Sequence, residues 1–473
     1  MNTKGIVIAA LALPAMSALH ANDGGFVDTF GTQGREQIGF APSLDIATSF
    51  VSFVDLAIQP DGKIIVSATV DNTAAAIPST DIGVLRLNPN GTLDTNFGTQ
   101  GQVIVPFDLG GTNNDVASSV LLQPNGRIVV CGEAGGDPNA GGSDFGIVRV
   151  TAGGLPDTQF SGDGKATVPF DIGPVGDRDD SAVRCDLQAD GKIVAGGSAS
   201  VDASTQRMAV ARLNADGSRD TGFNGAGTAT IDFGPAFPSS VAFSTKAQAD
   251  GRTLLTGGAF GAGTASWAFA RLTSTGQLDA SFGNGGILLF DPGVASYAAY
   301  EALDAVVLPD NSIVAVGAMA LAPALTNYDF GVFKLTANGS LDASFGNGGG
   351  LVIPFDLGAA FADIGVKVIR DAQGRFLMVG ISNGSVAPFT ASLVRVTASG
   401  QLDPTFGNGG KLTVATAPPP AADLGDQGTS VAITADGGIL VSSIATYDAI
   451  GPKNRAGLAK LVGDTIFGSG FDD

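Results

Sequence analysis

The chain has 473 residues, 44% of them hydrophobic, with 69 glycines, 23 prolines and two cysteines. Its 45 acidic and 25 basic side chains give a formal net charge of −20, so it lacks the basic footprint that nucleic acid or an anionic membrane surface requires. The only histidine, His20, lies in an N-terminal segment expected to be cleaved, which removes Ser-His-Asp and Cys-His catalysis and histidine metal sites from consideration.

That N-terminal segment reads as an export signal. Lys4 precedes an apolar run from Gly5 to about Ala15, and small residues lead to a cut after Ala21. Residues 1–21 are therefore expected to be a signal peptide, and the mature protein to be exported, whether periplasmic, cell-surface or secreted. No later stretch holds about 18 consecutive apolar residues, so no transmembrane segment is expected. Without Lys4 the chain keeps 24 basic residues, for a net charge near −21. Glu36, Glu133 and Glu301 are the only glutamates, leaving 42 aspartates. Aspartate and glycine favour turns where glutamate favours helices, so the composition predicts many turns and few helices.

From residue 26 onward one stretch recurs. Its phenylalanine stands at Phe30, Phe97, Phe160, Phe223, Phe282, Phe345, Phe406 and, more weakly, Phe467, at spacings of 67, 63, 63, 59, 63, 61 and 61. An aspartate lies three residues earlier in seven of the eight copies (Asp94, Asp157, Asp220, Asp279, Asp342, Asp403 and Asp464), and a glycine lies four residues later in the first seven. Glycine reaches φ > 0 without steric cost and aspartate hydrogen-bonds the backbone just ahead of it, so Asp-x-x-Phe-Gly-x-x-Gly predicts a tight turn with one apolar plug.

Between these anchors the order of elements repeats. In the first unit, strands are predicted over Gly34 to Phe40, Ser52 to Gln59, Lys63 to Ala68 and Ile82 to Leu87, with Pro60-Asp61-Gly62 as a turn. Four strands in about 60 residues, seven times over, predict an all-β fold and a β-propeller of seven four-stranded blades, residues 22–461. An open β-solenoid is the rival. Residues 462–473 form a tail whose copy of the anchor, around Asp464 to Phe467, is a candidate for closing the ring.

The LDxxFGxxG anchor, the DGK-type turn and a strand ending in an apolar residue, Arg or Lys, then Leu or Val, resemble the delta-60 repeat of bacterial β-propellers of unknown function. The resemblance covers residues 26–461. It implies the fold, and it carries no catalytic residues to transfer. The tail DTIFGSGFDD also resembles short aromatic-acidic C-terminal tails of exported proteins from Gram-negative bacteria.

Several residues are candidates for a role. Arg86, Arg149, Arg212, Arg271, Lys334, Arg395 and Lys460 recur near the end of the fourth strand, either as a ring for an anionic ligand in the central channel or, the preferred reading, as one structural ion pair per blade with a nearby aspartate. On that reading Phe97, Phe282, Phe345, Phe406, Asp94, Asp279, Asp342, Asp403, Arg86, Arg271, Lys334 and Arg395 are repeat anchors. Cys131 and Cys185, in strands of adjacent repeats, are either a disulfide or two small buried residues. Asp177, Asp179, Asp180 and Asp163 are calcium candidates in acidic loops, against a simpler reading as solvated turns. Trp267 is the only tryptophan, so the repeated tryptophan motif of quinone-dependent propeller dehydrogenases is missing, and no cofactor other than calcium is expected. The expected function is an exported binding or scaffolding module, a monomer with a protein or polysaccharide ligand. The alternative is a carboxylate-dependent hydrolase or lyase acting on an extracellular carbohydrate.

Overall fold

The computed structural model describes residues 25–40, 45–46, 54–72, 79–110, 113–136, 142–174, 178–294, 296–322, 327–355, 357, 362–383, 389–418, 425–446 and 454–463. They form strands joined by turns. The first two strands are β1 (Arg35–Ile38) and β2 (Asp45–Ile46). Blade 1 contains β3 (Asp55–Ile58), β4 (Ile64–Asn72), β5 (Ser79–Leu87) and β6 (Gln102–Val105), with β2 pairing on the same edge of β4 as β3. Blade 2 contains β7 (Val116–Leu122), β8 (Ile128–Ala134), β9 (Asp144–Val150) and β10 (Lys165–Val168). Blade 3 contains β11 (Asp180–Leu187), β12 (Ile193–Asp202), β13 (Thr205–Leu213) and β14 (Thr228–Ile231). Blade 4 contains β15 (Ser239–Ala247), β16 (Thr253–Gly261), β17 (Thr264–Leu272) and β18 (Ile287–Phe290). Blade 5 contains β19 (Tyr297–Val307), β20 (Ile313–Leu321), β21 (Tyr328–Leu335) and β22 (Gly350–Ile353). Blade 6 contains β23 (Asp363–Arg370), β24 (Phe376–Ser382), β25 (Thr390–Val396) and β26 (Lys411–Val414). Blade 7 contains β27 (Asp426–Ile433), β28 (Ile439–Thr446) and β29 (Asn454–Leu461), completed by β1.

Each blade is an antiparallel meander, and the first strands of successive blades lie against one another around the ring, β27 meeting β3. The fold is thus a closed seven-bladed β-propeller. The middle strands are apolar on both faces because each face serves a different neighbour. Ile64, Val66, Ala68 and Val70 of β4 pack with Leu440 and Leu458 of blade 7, whereas Ile65 packs with Ile128 and Val130 of blade 2. Seven such clusters, one per blade interface, make up the core.

Closure corrects the phase of the sequence reading. The predicted strand Gly34 to Phe40 does not open blade 1. Its core, β1, pairs antiparallel with β29, Arg35 opposite Ala459, as the outer strand of blade 7. Phe30 plugs that blade and is buried, and Gly31 N–H donates to Asn90 O of blade 1 at 2.8 Å. A terminal strand that completes the last blade satisfies two sheet edges at once. Asp464 to Phe467, the other candidate for closure, lies outside the described residues.

Candidate functional site

The two rims of the ring differ. On one, the connection from first to second strand has five residues in all seven blades (59–63, 123–127, 188–192, 248–252, 308–312, 371–375 and 434–438). The connection from third to fourth strand there has 14 in six (88–101, 151–164, 214–227, 273–286, 336–349 and 397–410). On the other rim, the second-to-third-strand connection varies from two residues (203–204 and 262–263) to nine (135–143), and the connection into the next blade from six (291–296) to 11 (169–179 and 415–425).

The constant rim is built by the anchors. Arg86 Nε lies 2.8 Å from Asp94 Oδ2 and its Nη1 2.7 Å from Ala152 O in the next blade, while the guanidinium sits 4.7 Å from the centre of the Phe97 ring. Arg271 repeats this with Asp279 at 2.8 Å and Phe282 at 4.7 Å, and Arg395 with Asp403 at 2.8 Å and Phe406 at 4.7 Å. Lys334 keeps the ion pair with Asp342 at 2.9 Å, and Phe345 is buried beside it. Lys460 departs, pairing with Asp436 at 2.8 Å. A second cation from the five-residue turn reaches the same carboxylate in several blades, as Lys63 does Asp94 at 2.9 Å. The backbone joins the blades too: Gly98 N–H donates to Gly153 O at 2.8 Å, and a Cβ on Gly154 (φ +84°) would stand 2.5 Å from Gly98 N. These basic residues sit on third strands within the blades, each tied to an aspartate, and do not gather around the channel.

A different set of charges occupies the axis. Asp55, Ser119, Arg184, Ser244, Asp304, Lys367 and Ser430 take equivalent places on the seven first strands, and in six of them the ladder steps over one residue immediately before. Such a bulge re-aims the side chain that follows. Lys367 Nζ crosses from blade 6 to Asp55 Oδ1 of blade 1 at 2.6 Å and reaches Ser430 Oγ at 2.7 Å. Lys246 Nζ lies 2.9 Å from Asp304 Oδ1, and the Asp304 Oδ2 atom accepts Val368 N–H at 3.1 Å. Burial alone would raise the Asp55 carboxyl; Lys367 and Arg184 more than offset it and hold it at about 2. Asp304 is lowered by Lys246 and Arg184 against the same burial. Both carboxylates are therefore kept ionised and neutralised.

On the variable rim, beside the axis, a cavity of about 310 Å³ opens between blades 4, 5 and 6. Phe243, Phe260, Tyr300 and Tyr328 line it together with Glu301, over aliphatic side chains that include Ile364. The ring centroids of Tyr300 and Tyr328 are 5.0 Å apart, those of Phe260 and Tyr300 6.1 Å. A register shift between Ala299 and Glu301 lets two successive residues, Tyr300 and Glu301, serve one cavity, which the period of two in a regular strand would forbid. Gly258 makes room: a Cβ there would stand 3.2 Å from that of Glu301. Glu301 is only 8% exposed, and among the described residues no hydrogen bond or ion pair reaches its carboxyl group. Burial pushes it up to about 7. Burial, with Tyr328 and Glu301 adding to it, pushes the Tyr300 hydroxyl up to about 12.

The other candidates fall elsewhere. Asp163 stands in an anchor turn on the constant rim, its Oδ1 accepting Lys165 N–H at 3.0 Å, while Asp179 and Asp180 stand at the opposite end of β10. Asp179 accepts Ser143 N–H at 3.2 Å. Asp180 is buried and accepts Phe170 N–H at 2.7 Å, the place Asp115 fills for Phe107 and Asp363 for Phe355. Asp177 lies outside the described residues, among which no three His, Cys, Asp or Glu side chains are grouped to hold a metal. Cys131 and Cys185 form a disulfide joining β8 of blade 2 to β11 of blade 3, with their Cα atoms 6.1 Å apart. Sequence reasoning missed both the axial network and the Glu301 cavity. Two signals were available: a column that is polar in all seven repeats, and three of the four tyrosines, Tyr297, Tyr300 and Tyr328, close to one of only three glutamates.

The structure is similar to several solved proteins. One is a protein of unknown function from Dyadobacter fermentans, 10% identical over 89% of this chain and 100% of that one, with a TM-score of 0.45. Another is an ulvan lyase of a new polysaccharide lyase family, 11% identical over 90% and 96%, at 0.48. A third is the β-propeller domain of the trilobed protease of Pyrococcus furiosus, 9% identical over 89% and 99%, at 0.40. No curated protein matches the chain. Residues 59–97, 123–160, 188–223, 248–282 and 308–345, each running from the five-residue turn to the anchor phenylalanine, match the family model described as a β-propeller domain of unknown function, DUF5122.

Proposed function

We propose that this protein is an exported binding module whose ligand seats on the variable rim. The observation that carries this is the asymmetry of the rims: one repeats its connections residue for residue, the other varies them from blade to blade. A ring needs identical joints only where blades are fastened, and loops that vary on a rigid scaffold are where recognition residues are placed. Export is supported by the N-terminal segment and by the Cys131–Cys185 disulfide, which suits an oxidising compartment.

The two axial carboxylates do not form an acid–base pair with each other. General acid–base work calls for carboxyl groups whose environments hold them apart in protonation, whereas Asp55 and Asp304 are both ionised against lysines. The test is retention of envelope fractions and a polysaccharide panel on immobilised residues 22–473, with product analysis of the eluate. Saturable retention with intact polymer supports the module. Release of cleaved or unsaturated oligosaccharides would replace it with the enzyme.

A further inference from the structure

We propose that the cavity between blades 4, 5 and 6 binds a small organic cation, an alkylated or quaternary ammonium group, with Glu301 as its counter-ion and Tyr300, Tyr328, Phe243 and Phe260 as its walls. This deepens the binding-module reading, on which it rests only in taking the variable rim as the ligand side.

The cavity combines an aromatic wall with a buried carboxyl. An aromatic wall offers the negative faces of its rings to a cation, an attraction that grows when water is excluded. A buried carboxyl with no protein partner carries an unmet electrostatic demand, and leaving such a group ionised in an apolar site is costly. A cation satisfies both. A neutral sugar would use the rings and hydrogen-bond the carboxyl but bring no charge to balance it, and an anion would be repelled by it and by the overall charge of −20, which instead draws cations toward the surface. At about 310 Å³ the cavity is at the small end of ligand pockets, a size for a head group and not for a polymer chain.

The charged groups on the surrounding strands are engaged elsewhere. Lys246 on β15 pairs with Asp304, Lys367 on β23 with Asp55, and Asp363 accepts Phe355 N–H. Asp329 on β21 accepts the Tyr297 hydroxyl. Glu301 therefore titrates against burial alone, and bringing a cation in ionises it: the O–H bond of the carboxylic acid breaks, the proton passes to solvent, and the carboxylate pairs with the ligand.

The test is calorimetry of the mature protein with choline and with its uncharged isostere 3,3-dimethylbutan-1-ol, at pH 6 and pH 8 and in two buffers of different ionisation enthalpy. Choline should bind about tenfold more tightly at pH 8 than at pH 6, since a carboxyl near 7 is mostly protonated at one and mostly ionised at the other. At pH 6 the observed enthalpy should track the buffer, because close to one proton is released per ligand bound. Glu301→Gln should weaken choline binding at least tenfold while leaving thermal unfolding intact, and Tyr328→Leu should weaken it at every pH. Equal binding of the isostere, unchanged binding by Glu301→Gln, or no binding of choline at millimolar concentration would each overturn the cation site. If the protein still retains a macromolecular ligand in those cases, the binding-module reading stands.

Discussion

Lys367 and Asp55 lie 312 residues apart in sequence and 2.6 Å apart in space, a pair that ties blade 6 to blade 1 across the propeller axis. Removing one partner strands the other in a buried site. Lys367→Met is expected to cost about 3–5 kcal/mol, and the Lys367→Met, Asp55→Asn double variant distinctly less than the sum of the single changes. A double-mutant cycle in denaturant measures the coupling. Strict additivity would mean that the two charges do not interact.

The anchor pairs should fall into two classes. Arg271 holds Asp279, stacks on Phe282 and donates across the blade interface to Ala337 O, whereas Lys334 makes an ion pair with side chains about one-fifth exposed. Arg271→Ala should cost about 3–5 kcal/mol, as breaking a buried pair does. Lys334→Ala should cost about 1 kcal/mol or less. Arg271→Lys should recover only part of the loss, since lysine lacks the planar fork that serves two blades. Equal losses at positions 271 and 334 would remove the bridging role.

Stability should peak in mildly acidic solution. Burial raises Asp115, Asp180 and Glu301 to about 7, so the folded state holds protons that the unfolded chain loses above about pH 4. Their contribution is full below that pH and is lost as pH rises through 7. Hydrogen bonds from Lys63, and from Ser344 and Lys334, lower Asp94 and Asp342 to about 2, and that contribution is present above about pH 4 and lost as pH falls through 2. The thermal midpoint should be higher near pH 5 than at either pH 8 or pH 2.5. A midpoint rising steadily to pH 8 would show that the buried carboxyls do not behave as their surroundings require.

Closure by the N-terminal strand gives a local test. Phe30→Ala empties the plug of blade 7 and should cost about 3–5 kcal/mol, the usual range for a buried phenylalanine. Deleting residues 22–38 should remove cooperative unfolding of blades 7 and 1 together. Hydrogen exchange of β29 and β4 amides reads both, and unchanged protection in the deletion would contradict the closure.

Much of the fold was legible in the sequence because a repeat is a constraint applied many times: the anchors, the five-residue turns and the four strands recur where the backbone is fastened. The phase was not, because nothing local distinguishes the Gly34 to Phe40 strand from its six counterparts; only the two chain ends meeting at β1 and β29 decide which blade it completes. The axial network was hidden because Asp55, Asp304 and Lys367 lie on the first strands of three different blades and are brought together only by ring closure. The Glu301 cavity escaped because it depends on a bulge at Tyr300, an irregularity that period-two reading smooths over.

The central claim is that the variable rim binds. The most direct measurement grafts the two-residue connection Ala203-Ser204 in place of 322–327 and 383–389, in blades 5 and 6, and compares ligand retention with the native protein and with Leu155→Ser on the constant rim. Loss of at least tenfold in the graft, with Leu155→Ser unchanged, is the expected result. Retention that survives the graft and falls with Leu155→Ser would place the ligand on the wrong rim and contradict the account.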